Sequence, residues 1–220
     1  AGQIQADASG TRFEVLRDGL LAATARMSLF GQINIENALG ALAVVEALGV
    51  PLPEAAAALA GHRGVKRRQE KRGEVGGIAV IDDFAHHPTA VRVTIEALRA
   101  RFPGRRLVAV FEPRSNTSRR RVFQRDYAEA FGGADLAVIA RPPQGAVYSN
   151  TGLVSELFDD RQLVSDIQAR GGEAACPGGV DEIVAYLARH CRPGDVVLVM
   201  SNGAFGNIWE RLLEALRARS

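Results

Sequence analysis

The sequence predicts an α/β fold: a Rossmann-like, doubly wound and mainly parallel sheet with helices on both faces. Two observations support this prediction. The second part of the chain contains four short, continuous apolar runs, which are typical of strands that are buried on both faces. Stretches with helical periodicity separate these runs, as expected when crossover helices connect parallel strands. The runs lie at 78–81, 107–111, 136–140 and 196–200.

A strand and two helices are predicted before this pattern begins. Apolar and polar residues alternate over 11–17, which indicates a half-buried strand. Apolar residues then recur at helical spacing over 34–48, and Gly49 is suited to end that helix. Pro53 fits the first turn of a short alanine-rich helix that extends to residue 60.

The segment 61–77 is rich in Gly and Arg and has no apolar period, so we interpret it as a linker followed by a turn. We therefore predict one domain over 1–67 and a second over 68–220. Within the second domain, 173–175 is expected to form a short edge strand. Its helices are predicted at 88–101, 119–132, 153–170, 180–190 and 204–217.

Composition excludes several classes of function. The 220 residues carry a formal net charge of +2, with no basic–aromatic interleaving of the kind that binds single-stranded nucleic acid. No apolar run approaches the roughly 18 residues that a membrane span requires. Cys176 and Cys191 are too few for a disulfide framework, and we expect free thiols in a reducing cytoplasm. Neither Lys66 nor Lys71 is followed by Ser or Thr, so the sequence contains no Gly-Lys-Ser/Thr phosphate loop.

Polar segments follow the apolar runs at the strand ends, where ligands bind in open α/β sheets. The first is Asp-Asp-Phe-Ala-His-His-Pro at 82–88. A carboxylate in this position can accept hydrogen bonds from the two hydroxyl groups of a ribose. Two alternatives stay open: Asp83 or His87 caps the following helix, or the segment contributes metal ligands.

The second segment is Glu-Pro-Arg-Ser-Asn-Thr at 112–117, in which Arg114 is suited to form a bidentate pair with a substrate carboxylate. The alternative is a turn with a helix cap at Asn116 or Thr117. The third segment, Ser-Asn-Gly-Ala-Phe-Gly at 201–206, has glycines that permit a close approach of the backbone, or it is an ordinary strand-to-helix turn. Near the N-terminus, Asn34 is a candidate N-cap, and Asn37 lies one turn further along the same helix.

Taken together and in this order, the segments resemble the Mur ligase family. Gly-Gln-Ile-Asn-Ile-Glu-Asn-Ala-Leu at 31–39 is similar to a segment at the end of the family's central ATPase domain. Gly-Val-Lys-Arg-Arg-Gln-Glu at 64–70 is similar to the connection between the central and C-terminal domains. The segment at 82–88 is similar to the Asp-Asp-Tyr-Ala-His-His-Pro motif that opens the C-terminal domain. The loops at 111–117 and 200–203 most resemble those of the murein peptide ligases.

The resemblance implies an ATP- and Mg²⁺-dependent ligase that joins a recycled murein tripeptide to UDP-N-acetylmuramic acid in the cytoplasm. It also implies roles for individual residues. The nucleotide contacts would be Asn34 and Asn37 at the adenine, Arg68 at the phosphates, Asp83 at the ribose and His86 beside the adenine. The residues facing the incoming tripeptide would be Arg114, Ser115, Asn116, Ser201 and Asn202.

The sequence departs from the family pattern at several points. Ile33 stands where the family has His, and Phe84 stands where it has Tyr. The phosphate loop, the central metal-binding residues and the UDP-binding domain have no counterpart, so we expect a C-terminal fragment that is inactive alone. The alternatives are an L-alanine-adding ligase, another Mur-type or folylpolyglutamate synthase-like ligase, and a non-catalytic nucleotide-binding or interaction module.

Overall fold

A computed structural model of the chain describes residues 1–7, 9–143, 145–149 and 152–219. By compactness, the chain divides into two units. The first comprises Ala1–Lys66 and Glu96–Pro103, and the second comprises Arg67–Ile95 and Gly104–Ser220. The assignment of 1–67 and 68–220 to two different ligase domains stays a prediction.

The first unit is an antiparallel sheet with two helices. Alternation places Phe13 and Val15 of the central strand in a buried cluster with Ile35 and Leu42 from the first helix. The flanking strands were not predicted, because one is exposed along its length and the other is largely small or exposed side chains. The elements are β1 (Ile4–Asp7), β2 (Gly10–Arg17), β3 (Leu20–Met27), α1 (Gln32–Ala47) and α2 (Leu52–Ala58).

The second unit is built on a six-stranded sheet that is parallel except at one edge, which confirms the predicted fold class. The strand order is β10-β7-β6-β11-β5-β4, and β4 runs antiparallel to β5. The first elements are β4 (Glu70–Val75), β5 (Ile78–Asp83), α3 (Pro88–Arg101), β6 (Leu107–Phe111), α4 (Gln124–Ala130) and β7 (Leu136–Ala140). They are followed by β8 (Tyr148–Ser149), β9 (Gly152–Leu153), α5 (Asp160–Ala169), β10 (Ala174–Gly178), α6 (Val180–His190), β11 (Val196–Met200) and α7 (Ile208–Arg219).

The four apolar runs form the middle of this sheet, and every residue of β5, β6, β7 and β11 is buried. The side chains on one face of these strands pack with apolar residues of α6 and α7 in one core cluster, including Ile183, Leu187 and Leu212. The predicted edge strand is confirmed as β10, which pairs with β7.

Four predictions about the elements were wrong in part. Residues 70–75 are a strand, which the sequence conceals because an edge strand can be charged and half-exposed instead of apolar. Of the helix predicted over 119–132, only α4 (Gln124–Ala130) forms, because turns and a short 3₁₀ segment occupy 115–123. The helix predicted over 153–170 begins at Asp160, where Asp159 caps it by accepting the N–H of Gln162 at 2.9 Å. The last helix begins at Ile208 and not at 204, after a short 3₁₀ segment.

Within the described residues, none of the helices has both the length and the apolar character needed to cross a membrane.

Candidate functional site

Three strand ends lie level at one edge of the sheet in the second unit. β11 lies between β5 and β6, and Met200 pairs with Asp83 on one side and with Phe111 on the other. Neighbouring strands are about 4.8 Å apart, so the residues that follow all three strands start within about 10 Å of one another. We call 82–88, 112–117 and 201–206 the strand-end loops. The register therefore brings together the three segments that the sequence selected.

β5 ends in two buried carboxylates that have different partners. Asp82 is fully buried, and its Oδ2 accepts hydrogen bonds from Arg67 Nε at 3.3 Å and from Arg72 Nη2 at 2.9 Å. Asp83 accepts backbone N–H groups of the adjoining turns, from Gln69 at 2.9 Å and from Ala85 at 2.8 Å. The first carboxylate therefore forms ion pairs with two arginines, and the second fixes the course of the backbone.

The burial and hydrogen bonds of Asp83 determine how far its carboxyl group is available to a ligand. Burial raises its pKa above the ordinary value, and the N–H donors from Gln69 and Ala85 oppose that rise. The side chain does not cap the first turn of α3; it bonds to the N–H two residues further on, inside its own loop. Because both oxygens already hold the loop, Asp83 contributes mainly to its shape, and the ribose contact stays a prediction.

Of the two arginines in the segment 67–69, which directly precedes β4, only Arg68 is exposed to solvent. Arg67 and Gln69 have φ values of 59° and 51°, in the left-handed region that is unfavourable for residues other than glycine. Both are held there by hydrogen bonds to the carboxylates just described, and Arg67 Nη2 also donates to the carbonyl of Ser201 at 2.7 Å. Arg68, between them, is exposed, with its guanidinium carbon 5.3 Å from the centre of the Phe84 ring.

Two hydrogen bonds orient His86, one at its imidazole ring and one at its backbone carbonyl group. Its Nδ1 lies 3.0 Å from the carbonyl oxygen of Phe84, and the Tyr127 hydroxyl donates to the carbonyl of His86 at 2.6 Å. The imidazole also meets the Phe84 ring edge-on, with the centroids 5.4 Å apart. Phe84, where the family has Tyr, therefore provides a ring surface to both Arg68 and His86 without a hydroxyl group.

The metal alternative for this loop finds no support in the structure. In the part of the chain that is described, no three His, Cys, Asp or Glu side chains are arranged to hold a metal ion. His87 is exposed and meets Phe123 edge-on, with the ring centroids 5.2 Å apart.

The loops after β6 and β11 are joined by a buried hydroxyl. Ser201 is fully buried; its Oγ donates to Glu112 Oε2 and accepts the N–H of Gly203 at 2.9 Å. The N–H of Glu112 in turn donates to the carbonyl of Met200 at 3.0 Å. The Ser201 hydroxyl therefore positions its neighbours, and a contact between Ser201 and the peptide stays a prediction.

Arg114 lies directly against the loop that follows β11. A Cβ atom at Gly203 would lie 2.6 Å from Arg114 Cζ, so only glycine leaves room for the guanidinium group there. Gly203 is thus required for close approach and not for a positive φ. Arg114 is exposed, and its side chain lies against Gly203 beside the candidate site.

Ser115 and Asn116 differ in how far their polar side chains are available to a ligand. The Ser115 hydroxyl accepts the N–H of Ser118 at 3.0 Å and lies 2.9 Å from the Ser118 hydroxyl, so it closes the turn. The predicted alternative, a cap at Asn116 or Thr117, is therefore replaced by this turn at Ser115. Asn116 is exposed.

Asn202 carries a buried acceptor without a partner. Its Oδ1 is shielded from solvent and accepts no hydrogen bond from any described residue. A buried polar atom of this kind is rare in folded proteins and costs free energy unless a ligand or water satisfies it. Asn202 immediately precedes Gly203, the residue of this loop against which the Arg114 side chain lies.

The two asparagines of the first unit stand on α1. The expectation that Asn34 is the N-cap was wrong: the helix begins at Gln32 after Gly31, whose φ of 90° only glycine adopts readily. Asn34 Nδ2 instead donates to the carbonyl of Phe30 at 2.7 Å. Asn37 is exposed one turn further along.

Two residues of this site carried no individual role in the sequence analysis: Arg67 and Glu112. Arg67 and Glu112 act through pairings that depend on the insertion of β11 between β5 and β6, which the order along the chain does not indicate. Glu112 did have one signal, since it is the first polar residue after a fully buried run.

The fold and the strand-end loops define an α/β domain that presents arginine, amide and carboxylate groups at the carboxyl edge of its sheet. The chain belongs to the Mur ligase family: residues 67–203 match the family model described as "Mur ligase, glutamate ligase domain". The resemblance seen in the sequence motifs is thereby confirmed.

The chain is 37% identical over 221 residues to the UDP-N-acetylmuramate–L-alanyl-gamma-D-glutamyl-meso-2,6-diaminoheptandioate ligase of Escherichia coli, covering 100% of this chain and 45% of that protein. It is 36% identical over 228 residues to the UDP-N-acetylmuramate–L-alanine ligase of Roseiflexus, covering 100% of this chain and 47% of the relative. A crystal structure of a murein peptide ligase from Psychrobacter arcticus superposes with a TM-score of 0.63 at 33% identity, covering 98% of this chain and 44% of that one. The chain thus spans about half the length of the curated relatives it matches.

Proposed function

We propose that this chain provides the peptide platform and part of the nucleotide site of an ATP-dependent ligase. That ligase joins a murein tripeptide to UDP-N-acetylmuramic acid in the cytoplasm. One observation carries the proposal: the loop after β11 holds the buried Oδ1 of Asn202, which has no partner among the described residues, and its next residue, Gly203, lies against the exposed Arg114 side chain of the loop after β6. An acceptor and a cation on two adjoining loops are suited to a ligand that carries both N–H donors and a carboxylate, as a peptide with a free amino group does.

In this proposal, Arg114 binds a carboxylate of the incoming peptide through two parallel N–H donors. Asn202 Oδ1 accepts an N–H of the peptide and so gains the partner that it lacks in the protein. Asn116 is exposed on the same loop and adds a further amide contact. Ser201 acts through Glu112 and Gly203, whose positions it fixes by hydrogen bonds. The site thereby orients the peptide amine for attack on an activated carboxyl group.

The nucleotide contacts are proposed on a second group of residues. Arg68 is exposed, with its guanidinium carbon 5.3 Å from the centre of the Phe84 ring, and its charge opposes the rise that burial causes in the pKa of Asp83. We propose that this exposed guanidinium group contacts the phosphate oxygens. Asp83 and His86 belong to the loop that would take the ribose and adenine, and Asn34 and Asn37 are proposed for the adenine from the first unit. Bound ATP would supply the phosphoryl group that activates the acceptor carboxyl group.

The described residues do not fit a magnesium site, because they contain no cluster of three candidate ligands. We therefore assign no metal ligand to this chain. Its sequence also lacks a Gly-Lys-Ser/Thr loop, so we expect the 220-residue chain alone to bind substrates without ligating them.

An L-alanine-adding ligase is the second candidate, favoured by 36% identity to the Roseiflexus enzyme. Amide NMR of the isotope-labelled chain separates the two. We expect the tripeptide to shift the amides of 114–116 and 202–203, and L-alanine at the same concentration to leave them unchanged. Shifts with L-alanine alone would favour the second candidate.

The Arg114→Gln variant should lose the tripeptide shifts, whereas Arg125→Gln should keep them, because Arg125 is 84% exposed on α4 and forms an ion pair with Glu129, outside the strand-end loops. If no ligand perturbs the strand-end loops, the peptide platform is refuted. Shifts with ATP but with no peptide would instead point to a non-catalytic nucleotide-binding module.

A further inference from the structure

The side chain of Arg67 joins four parts of the second unit. Its Nε donates to Asp82 Oδ2 on β5 at 3.3 Å, and its Nη2 donates to the carbonyl of Ser201 after β11 at 2.7 Å. Its guanidinium carbon lies 5.4 Å from the centre of the Phe84 ring and 5.7 Å from that of Trp209. Both distances are within the roughly 6 Å over which a cation and an aromatic ring attract each other. One guanidinium group therefore holds together β5, the loops after β5 and β11, and the start of α7.

The backbone of Arg67 is held as closely as its side chain. Its φ of 59° lies in the left-handed region, which costs a residue other than glycine free energy unless the surroundings hold it there. The N–H of Arg67 donates to Glu70 Oε2 at 2.7 Å, and its carbonyl accepts the N–H of Phe84 at 2.8 Å. Residues held in such conformations cluster at functional sites. An arginine in a conformation that suits glycine indicates that its side chain has a role.

The bond to Ser201 lies beside the proposed peptide contacts. Ser201 directly precedes Asn202, whose buried Oδ1 has no partner among the described residues. The next residue, Gly203, lies against Arg114. Because Arg67 holds the carbonyl at which this loop begins, removing its guanidinium group should release the loop and the acceptor on it.

Arg67 also adjoins the residue proposed for the phosphates. Arg68 follows it directly in the chain, and the Phe84 ring centre lies 5.4 Å from the guanidinium carbon of Arg67 and 5.3 Å from that of Arg68. The backbone bond from Phe84 to the carbonyl of Arg67 fixes the ring relative to both arginines. A change of side chain at position 67 should therefore disturb the placement of Arg68.

Arg72 offers a close comparison with Arg67. Its Nε and Nη2 donate to the same Asp82 oxygen at 3.2 and 2.9 Å, and its guanidinium carbon lies 4.8 Å from the centre of the Trp209 ring. The side chains of Arg67 and Arg72 are 24% and 26% exposed. Within the part of the chain that the structure describes, only Arg67 of these two also donates to the loop after β11.

We propose that Arg67 is a positioning residue for both parts of the candidate site. This inference rests on the proposed function. Arg67 contacts neither substrate; it keeps the loop after β11 in place for the peptide and Arg68 in place for the phosphates. The role requires a guanidinium group, because the single nitrogen of a lysine cannot replace Nε at Asp82 and Nη2 at Ser201 together.

Amide NMR titrations of the labelled chain test this inference, with the murein tripeptide L-alanyl-γ-D-glutamyl-meso-diaminopimelate and with ATP in separate samples. We expect Arg67→Gln and Arg67→Lys each to raise both dissociation constants about tenfold, since each ligand loses one fixed part of its site. Arg72→Gln should leave both constants within about twofold, although it removes more of the bonds to Asp82. Urea unfolding of the three variants shows that each is folded during the titrations.

A merely structural role predicts a different pattern, because Arg72→Gln should then weaken binding at least as much as Arg67→Gln. That result, or wild-type affinity in Arg67→Lys, would overturn the inference, while binding by the unaltered chain upholds the proposed function. If Arg67→Gln does not fold, Arg67→Lys, which keeps the charge beside Asp82, decides the question. Binding of only one ligand by the unaltered chain would overturn the dual role. Binding of neither would refute the proposed function, and the inference with it.

Discussion

The buried cluster around Asp82 should contribute more stability than an exposed cluster of the same composition. Asp82 Oδ2 accepts three N–H groups, from Arg67 Nε at 3.3 Å and from Arg72 Nε and Nη2 at 3.2 and 2.9 Å. A charge-assisted hydrogen bond contributes about 1.5–3 kcal/mol. The two arginine side chains are 24% and 26% exposed, which places these bonds at the lower end of that range. Because Asp82→Asn retains one amide acceptor, we expect it to lower the free energy of unfolding by about 2–4 kcal/mol.

Glu129→Gln is the matched control. Glu129 also faces two arginines, Arg125 and Arg170, but its side chain is 51% exposed. Solvent screening should limit its loss to about 0–1 kcal/mol. Urea unfolding can be followed by the fluorescence of Trp209, the only tryptophan, whose ring lies 4.8 Å from the guanidinium carbon of Arg72. If both variants lose the same free energy, the cluster does not stabilise this edge of the sheet as argued.

Two further predictions concern the candidate site and the thiols. Gly203→Ala should displace the Arg114 side chain and weaken tripeptide binding about tenfold, with a stability change within about 1 kcal/mol, because the flexible guanidinium can move away. Gly132→Ala, which has open space at its Cβ, should leave NMR-detected binding unchanged, and equal binding by both variants would contradict the packing argument. Iodoacetamide should alkylate Cys176 but not Cys191, which is 1% exposed and whose pKa burial raises to about 12. Because the pKa of Cys176 is raised as well, Cys176 should be alkylated more slowly than a free thiol near pH 8, and the alkylation rate should increase as the pH rises. Mass spectrometry can follow both thiols, and modification of both in the folded chain would refute this prediction.

The central strands could be predicted from the sequence because their requirement is simple. A strand buried on both faces needs a continuous apolar run, and each of the four runs became a strand of the parallel sheet. β4 could not be found this way, since an edge strand satisfies its backbone on one side only and tolerates the charges of 70–75. Helix was predicted too far towards the N-terminus at 119–123 and 153–159, because the hydrogen bonds at Ser115 and Asp159 form a turn and a helix cap that the composition does not indicate.

The sequence predicted the location of the candidate site better than it predicted the roles of the individual residues. The sequence indicated the right loops because polar residues directly follow buried runs. It could not show that β11 lies between β5 and β6. Because of this strand order, the Ser201 hydroxyl bonds to Glu112 and the Arg114 side chain packs against Gly203.

The measurement that tests the central claim most directly is the steady-state kinetics of Arg114→Ala in a complete ligase that carries this chain. If Arg114 binds the peptide carboxylate, the KM for the tripeptide should rise about tenfold or more, while the KM for ATP stays within about twofold. Arg125→Ala should change neither constant, because its side chain is 84% exposed and lies outside the strand-end loops. An equal rise in both KM values, or no rise in the peptide KM, would contradict the assignment of the strand-end loops to the peptide.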